Sequence, residues 1–256
     1  MPRRKLIGII ALVLLVTASV AWSQRQRTRR PRQVFDFSTN PEVDERKFTF
    51  VRLKFTMKGL RFNQVWEPPW AHDIPRAERH LMQIIKDFTG IEPNDEGIVL
   101  TLDDPEIFKY PFAYICEVGF FDPTEAELEG LREYIRRGGF MIVDDFGDNW
   151  WWADDWGNFE SVMKRAFPDK ELKLVDVSYP LFHSFFDMKT ITFPNYRGNG
   201  KYYVLEDEAG RVSMIVNFDN DIGDYWEWSG TGYLGVDLTN EAFKLGVNYI
   251  VYSLAH

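Results

Sequence analysis

The sequence predicts an α/β domain with a mostly parallel sheet and helices on both faces. Three observations carry this. From Phe48 onward, short apolar runs of strand length alternate with amphipathic runs at helical spacing. The stretch from Phe112 to Asp144 reads as one complete strand, helix, strand crossover, a connection that makes its two strands parallel and ends them on one edge of the sheet. The chain of 256 residues is 45% apolar and 16% aromatic, enough for a single sizeable core.

Taken in order, residues 1–23 have the layout of a signal peptide. Arg3, Arg4 and Lys5 precede an apolar core from Leu6 to Val16, and a softer segment ends in Ala21-Trp22-Ser23. Leu6 to Ser23 also approaches the length that spans a bilayer, so an uncleaved membrane anchor over residues 6–23 is the alternative, and the membrane is engaged only through that segment. Residues 24–45, rich in Arg, Pro and polar side chains, read as an exposed linker, and residues 46–256 as the domain.

Within the domain, Phe48 to Phe55 is the first strand. Asp73 is placed as the cap of a helix whose apolar residues Ala77, Leu81, Ile84, Ile85 and Phe88 share a face, closed by Gly90. Gly97 to Leu102 and Phe112 to Glu117 are the next strands. Asp122 and Glu125 suggest a capping-box variant with Pro123 at the first helical position, and Arg136, Arg137, Gly138 and Gly139 stop that helix. Phe140 to Asp144 follows as a buried strand. Phe159 to Phe167 reads as a short helix. Tyr202 to Leu205 and Arg211 to Asn217 read as a hairpin turned by Glu206 to Gly210. Thr239 is placed as the cap of a final helix with the stripe Phe243, Val247, Ile250, Val251 and Leu254.

Charge narrows the function. The first 32 residues hold eight basic side chains and no acidic one, leaving 22 basic against 39 acidic in the remainder, a net of −17. Such a body repels polyphosphate, so nucleic acid is excluded as a partner and cationic partners are favoured. The single cysteine, Cys116, allows no internal disulfide and no four-cysteine zinc site, and its place inside the run Phe112 to Cys116 marks it as a buried strand residue rather than a nucleophile. No nucleophile elbow, phosphate loop or dinucleotide fingerprint is present in the sequence.

In open α/β sheets ligands bind beyond the carboxyl ends of the strands, so the residues just after each apolar run are the informative ones. Glu117 follows one strand, and Asp144 and Asp145 follow the next. These three carboxylates are candidates to hold a divalent cation, the one cofactor this pattern points to, or to act as acid and base. Trp150, Trp151, Trp152 and Trp156 come next and are candidates for stacking on a carbohydrate ring or packing against a partner protein. The alternative is that the aspartates bond loop amides while the tryptophans fold back on the core. His183, in an aromatic-rich stretch, is a further catalytic candidate, although a lone histidine is more often a buried hydrogen-bonding residue. His72 and His80 form no zinc signature by spacing.

The run "YPFAYICEVGFFDPTEAELEGLREYIRRGGFMIVDDFGDNW", with "WAHDIPRAERHLMQ" before it and "FESVMKRAFPD", "YPLFHSFFDM" and "EAFKLGVNYIVYSLAH" after it, resembles the bacterial domain-of-unknown-function family 4159. The resemblance implies a class I glutamine amidotransferase-like fold with flavodoxin-like layering. Amidotransferases of that fold carry a cysteine on the sharp turn after a central strand; here the turn after the Phe140 strand reads Asp144-Asp145-Phe146-Gly147, so glutaminase activity is not expected. The function expected is an exported, periplasmic or otherwise envelope-located, non-catalytic binding or assembly module, whose partner is an envelope protein or a carbohydrate. A metal-assisted hydrolase using Glu117, Asp144 and Asp145 is the alternative.

Overall fold

The computed structural model describes residues 39–57, 68–146, 154–195 and 198–256. In chain order the strands are β1 (Val51–Leu53), β2 (Ile98–Leu100), β3 (Phe112–Ile115), β4 (Phe140–Val143), β5 (Lys173–Val175), β6 (Pro194–Asn195), β7 (Gly198–Asn199), β8 (Lys201–Glu206) and β9 (Val212–Phe218). The helices are α1 (Arg76–Phe88), α2 (Glu125–Arg136), α3 (Asp155–Ala166), α4 (Ile222–Glu227) and α5 (Val236–Ala255). Seven strands form one sheet in the order β2-β1-β3-β4-β9-β8-β5, and β6 pairs with β7 apart from it. The first five of that order are mutually parallel; β8 runs antiparallel to β9, and β5 antiparallel to β8.

Central strands buried on both faces need uninterrupted apolar residues, and β3 and β4 are buried at every position. Alternate side chains divide between two layers. Phe112, Tyr114, Phe140, Ile142 and Ile215 join one cluster with Leu81 and Ile85 of α1, Trp226 of α4 and Phe243 and Val247 of α5. Their neighbours Ala113, Ile115, Met141, Val143 and Val216 are equally buried but lie outside that cluster, as do Leu128, Leu131 and Ile135 of α2. The chain winds outward from β1 to β2 and then returns past β1 to β3, β4 and β9. The winding therefore reverses between β1 and β3, where an open α/β sheet leaves a crevice at its carboxyl edge.

Several boundaries differ from the sequence expectation. The capping box belongs to Thr124 and Glu127, two residues later than Asp122 and Glu125: Thr124 accepts from the Glu127 amide at 3.2 Å, and Glu127 accepts from the Thr124 amide at 2.8 Å. Asp73 does not cap α1, which starts after Pro75, and Thr239 lies inside the first turn of α5, whose N-cap is Gly235. α3 begins at Asp155, capped by Asp154 through the Gly157 amide, rather than at Phe159. β5 and α4 were not expected.

Candidate metal centre at the strand ends

The carboxyl edge is built from chain segments that leave their strands abruptly. Among the described residues, the four non-glycine positions with left-handed backbone are all acidic: Asp73 (φ 69°), Glu117 (φ 53°), Asp145 (φ 54°) and Asp219 (φ 58°). Aspartate enters this region at modest cost, glutamate less readily, and such residues concentrate at functional sites. The kink at Glu117 directly follows β3, and that at Asp145 follows β4, so parallel neighbours deliver both side chains to one place.

There they meet His72, from the turn preceding α1. Its Nδ1 lies 3.0 Å from Glu117 Oε1 and 3.8 Å from Asp145 Oδ2. One donor atom from each of the three residues lies within 4.8 Å of the others. Burial lowers the affinity of His72 for its proton, but hydrogen bonding and charge from Asp145 and Glu117 outweigh it and hold the imidazole at about 11, so it is cationic at neutral pH. Burial, and then repulsion from Glu117, push Asp145 up to about 7 against the opposing pull of His72. The centre thus holds two crowded carboxylates facing a single imidazolium, in reach of solvent through a His72 side chain that is 37% exposed.

Asp144 points the other way. It is fully buried; its Oδ2 accepts from the Tyr114 hydroxyl and the Gly223 amide, each at 2.8 Å, and its Oδ1 accepts from Asn217 Nδ2 at 2.9 Å. Burial raises its pKa, opposed by these donors. Asp144 ties β3, β4, β9 and α4 together, while its neighbour Asp145 faces the crevice.

Cys116 lies beneath the centre. Its Sγ is buried and accepts from Arg52 Nη1 at 2.9 Å; Arg52 also donates to Glu78 Oε1 from Nε (2.9 Å) and Nη2 (2.6 Å) and lies 4.3 Å above the Tyr114 ring. Burial pushes the thiol well above its ordinary range, the opposite of what a thiolate nucleophile needs. Beside the centre, α4 supplies a second acidic group. Oxygens of Asp73, Asp224 and Glu227 lie within 4.8 Å of one another, and Asp221 caps α4 through the Asp224 amide at 3.0 Å. Burial, followed by repulsion from neighbouring carboxylates that include Asp145, raises both Asp73 and Asp221 well above the usual carboxylate range.

The remaining sequence candidates lie elsewhere. His183 is exposed, with Nδ1 2.6 Å from Asp187 Oδ1 and Nε2 2.7 Å from the Val177 carbonyl. Trp156 packs against Tyr203 and Phe218, with ring centroids 4.7 Å away in each case, and against Phe146 and Phe159. Trp150, Trp151 and Trp152 fall outside the described residues. His72, Asp73, Asp221, Asp224 and Glu227 are not among the site candidates drawn from the sequence, where His72 forms no zinc signature and Asp73 is expected only as a helix cap. The strand-end rule applied to β9 would have found the run Asp219-Asn220-Asp221, which leads into α4.

The family described as Domain of unknown function (DUF4159) matches residues 49–254 of this chain. Comparison with curated proteins returns no match.

Proposed function

This chain belongs to the DUF4159 family, and the matched span contains every residue of the strand-end centre; we propose that it is a binding module holding a divalent metal ion through His72, Glu117 and Asp145. The observation that carries this reading is the convergence of one imidazole nitrogen, from the turn before α1, and two carboxylate oxygens, from the ends of β3 and β4. A metal ion of charge +2 would displace the imidazolium proton and relieve the repulsion between Glu117 and Asp145. A mixed nitrogen and oxygen donor set suits Zn²⁺ or Mn²⁺ better than Ca²⁺, which prefers an all-oxygen shell.

An amidotransferase-like fold is supported by the parallel order β2-β1-β3-β4-β9 and by the sharp left-handed turn after β3. On that turn stands Glu117, while Cys116 just before it is buried against Arg52, so the site is suited to holding a cation rather than to thiol catalysis. The leader-like first 23 residues support export and a place in the cell envelope.

Calorimetric titration and thermal melts of the full chain with Zn²⁺, Mn²⁺, Mg²⁺ and Ca²⁺ test the metal reading. Saturable binding should stabilise the fold by about 2.7 kcal/mol at a hundredfold excess over Kd. His72→Ala should remove the Zn²⁺ response. A wild type with no saturable ion-dependent shift overturns the proposal.

A further inference from the structure

We infer that the aromatic cleft beside α4 binds a neutral, β-linked oligosaccharide stacked on Tyr233, at a site distinct from the His72 centre. The cleft, about 680 Å³ in volume, has the size of a small-molecule site and is lined by Asp224, Trp228, Thr231, Gly232 and Tyr233. Tyr233 is 66% exposed, and the only aromatic ring it meets among the described residues is Trp228, with centroids 5.4 Å apart and planes inclined at 56°. A tilted contact of that kind engages the margin of the ring and leaves most of its face to water. Among the described residues the Tyr233 hydroxyl has no hydrogen-bond partner.

This platform is braced from below. Gly230 and Gly232 take left-handed backbone, with φ 73° and 77°, and turn the chain twice between Trp228 and Tyr233. Between them, the Thr231 hydroxyl donates to the Trp228 carbonyl at 2.6 Å and accepts from the Tyr233 amide at 3.2 Å. Trp228 is anchored in turn: its indole N–H donates to Asp224 Oδ1 at 3.0 Å, and the Arg76 guanidinium lies 5.1 Å from its ring centroid. A tyrosine held out to solvent on such a loop has already lost much of the freedom that binding would otherwise cost. Both glycines have open space where a Cβ would project, so a chain longer than the cleft can continue past its mouth.

The lining selects the ligand by elimination. An anion is repelled by Asp224 and by its neighbours Asp73 and Glu227, the oxygens of the three lying within 4.8 Å of one another. A cation finds the place over the Trp228 ring taken by Arg76, which also lies 3.8 Å from Glu227 Oε1. A wholly apolar ligand would cover the Asp224 carboxylate without offering it a donor. What satisfies every wall is an uncharged molecule with a flat C–H face for the phenol ring and hydroxyls at its rim for Asp224 and the Tyr233 hydroxyl. A β-linked chain of pyranose rings with equatorial hydroxyls has that form.

Titration calorimetry of the full chain with cellohexaose and chitohexaose, in chelator-treated buffer, tests the inference. Reading the sugar without any metal makes its failure and that of the metal centre separate results. Saturable binding of at least one is expected, weakened roughly three- to tenfold by Tyr233→Ala and kept by Tyr233→Trp, which offers a larger face. Tyr233 is exposed, so both variants keep the fold. The inference is overturned if neither oligosaccharide saturates, if hexanol binds as tightly as they do, if Tyr233→Ala binds them as tightly as the wild type, or if Tyr233→Trp is as weak as Tyr233→Ala.

Discussion

Replacing Asp145 with Asn should stabilise the metal-free protein at neutral pH, and by an amount that depends on pH. Asparagine is well tolerated in left-handed backbone, so the turn after β4 keeps its shape while the charge is lost. The Asp145 carboxyl titrates near 7 in the folded chain against 3.8 for the free group, because burial and Glu117 oppose its ionisation. A raised native pKa means that the contribution to stability is complete below the unfolded value and is lost as pH rises through the folded one. The wild type therefore loses stability between about pH 4 and pH 7, by at most about 4 kcal/mol, and the variant does not share that loss. The pull of His72 is already contained in that folded value; screening by salt and solvent at this partly open site reduces the net gain at pH 8 to about 2 kcal/mol, or roughly 4–8 °C in Tm for a domain of this size. Urea denaturation of both proteins in chelator, at a series of pH values, gives the difference directly. A difference that stays flat from pH 4 to 8, or an Asn variant that is the less stable at pH 8, would refute the reasoning. Saturating Zn²⁺ should reverse the order, since only the wild type keeps both carboxylates.

Asp144→Asn should behave in the opposite way, destabilising by about 2–3 kcal/mol, because Asn217 Nδ2 and the Gly223 amide donate to opposite oxygens and the new NH₂ group must face one of these donors; chemical denaturation at neutral pH reads this. Cys116→Ala should cost about 1–3 kcal/mol, from lost packing and an unpaired Arg52 Nη1, while Zn²⁺ titration remains that of the wild type. The native thiol should also resist an aromatic disulfide reagent until the fold is opened by denaturant. Mass spectrometry of the protein from its source cells should find a chain beginning near Gln24; an intact Met1 recovered with membranes would favour the anchor instead.

Where local chemistry decides the structure, the sequence is transparent. Phe140 to Val143 has no polar residue to place on a wet face, so a doubly covered strand is its only outlet. The α2 cap is ambiguous in the sequence because Asp122-Pro123-Thr124-Glu125-Ala126-Glu127 contains two possible capping pairs at the same spacing, Asp122 with Glu125 and Thr124 with Glu127, and only the fold selects the second. α4 has six residues, too few to display a helical period, and β5 is a three-residue edge strand with two exposed positions. Glu117 and Asp145 could be singled out because each directly follows an apolar run. His72 and Asp73 could not, since nothing near them in sequence announces that β1 lies beside β3 and brings the following loop over the Glu117 turn.

The left-handed acids carry a consequence for how the site can be dissected. At φ values near 55–70° a side chain costs roughly 1–2 kcal/mol that glycine does not incur. Glycine at position 73, 117 or 145 would remove a carboxylate and release backbone strain in the same step, so these truncations should raise stability even as they empty the crevice of charge. Mutational scans usually find that damage to a site and damage to the fold travel together; here the two have opposite signs. A selection for thermal resistance alone, applied to random variants of this chain, would enrich glycine at these turns and erase the site while improving the protein that carries it.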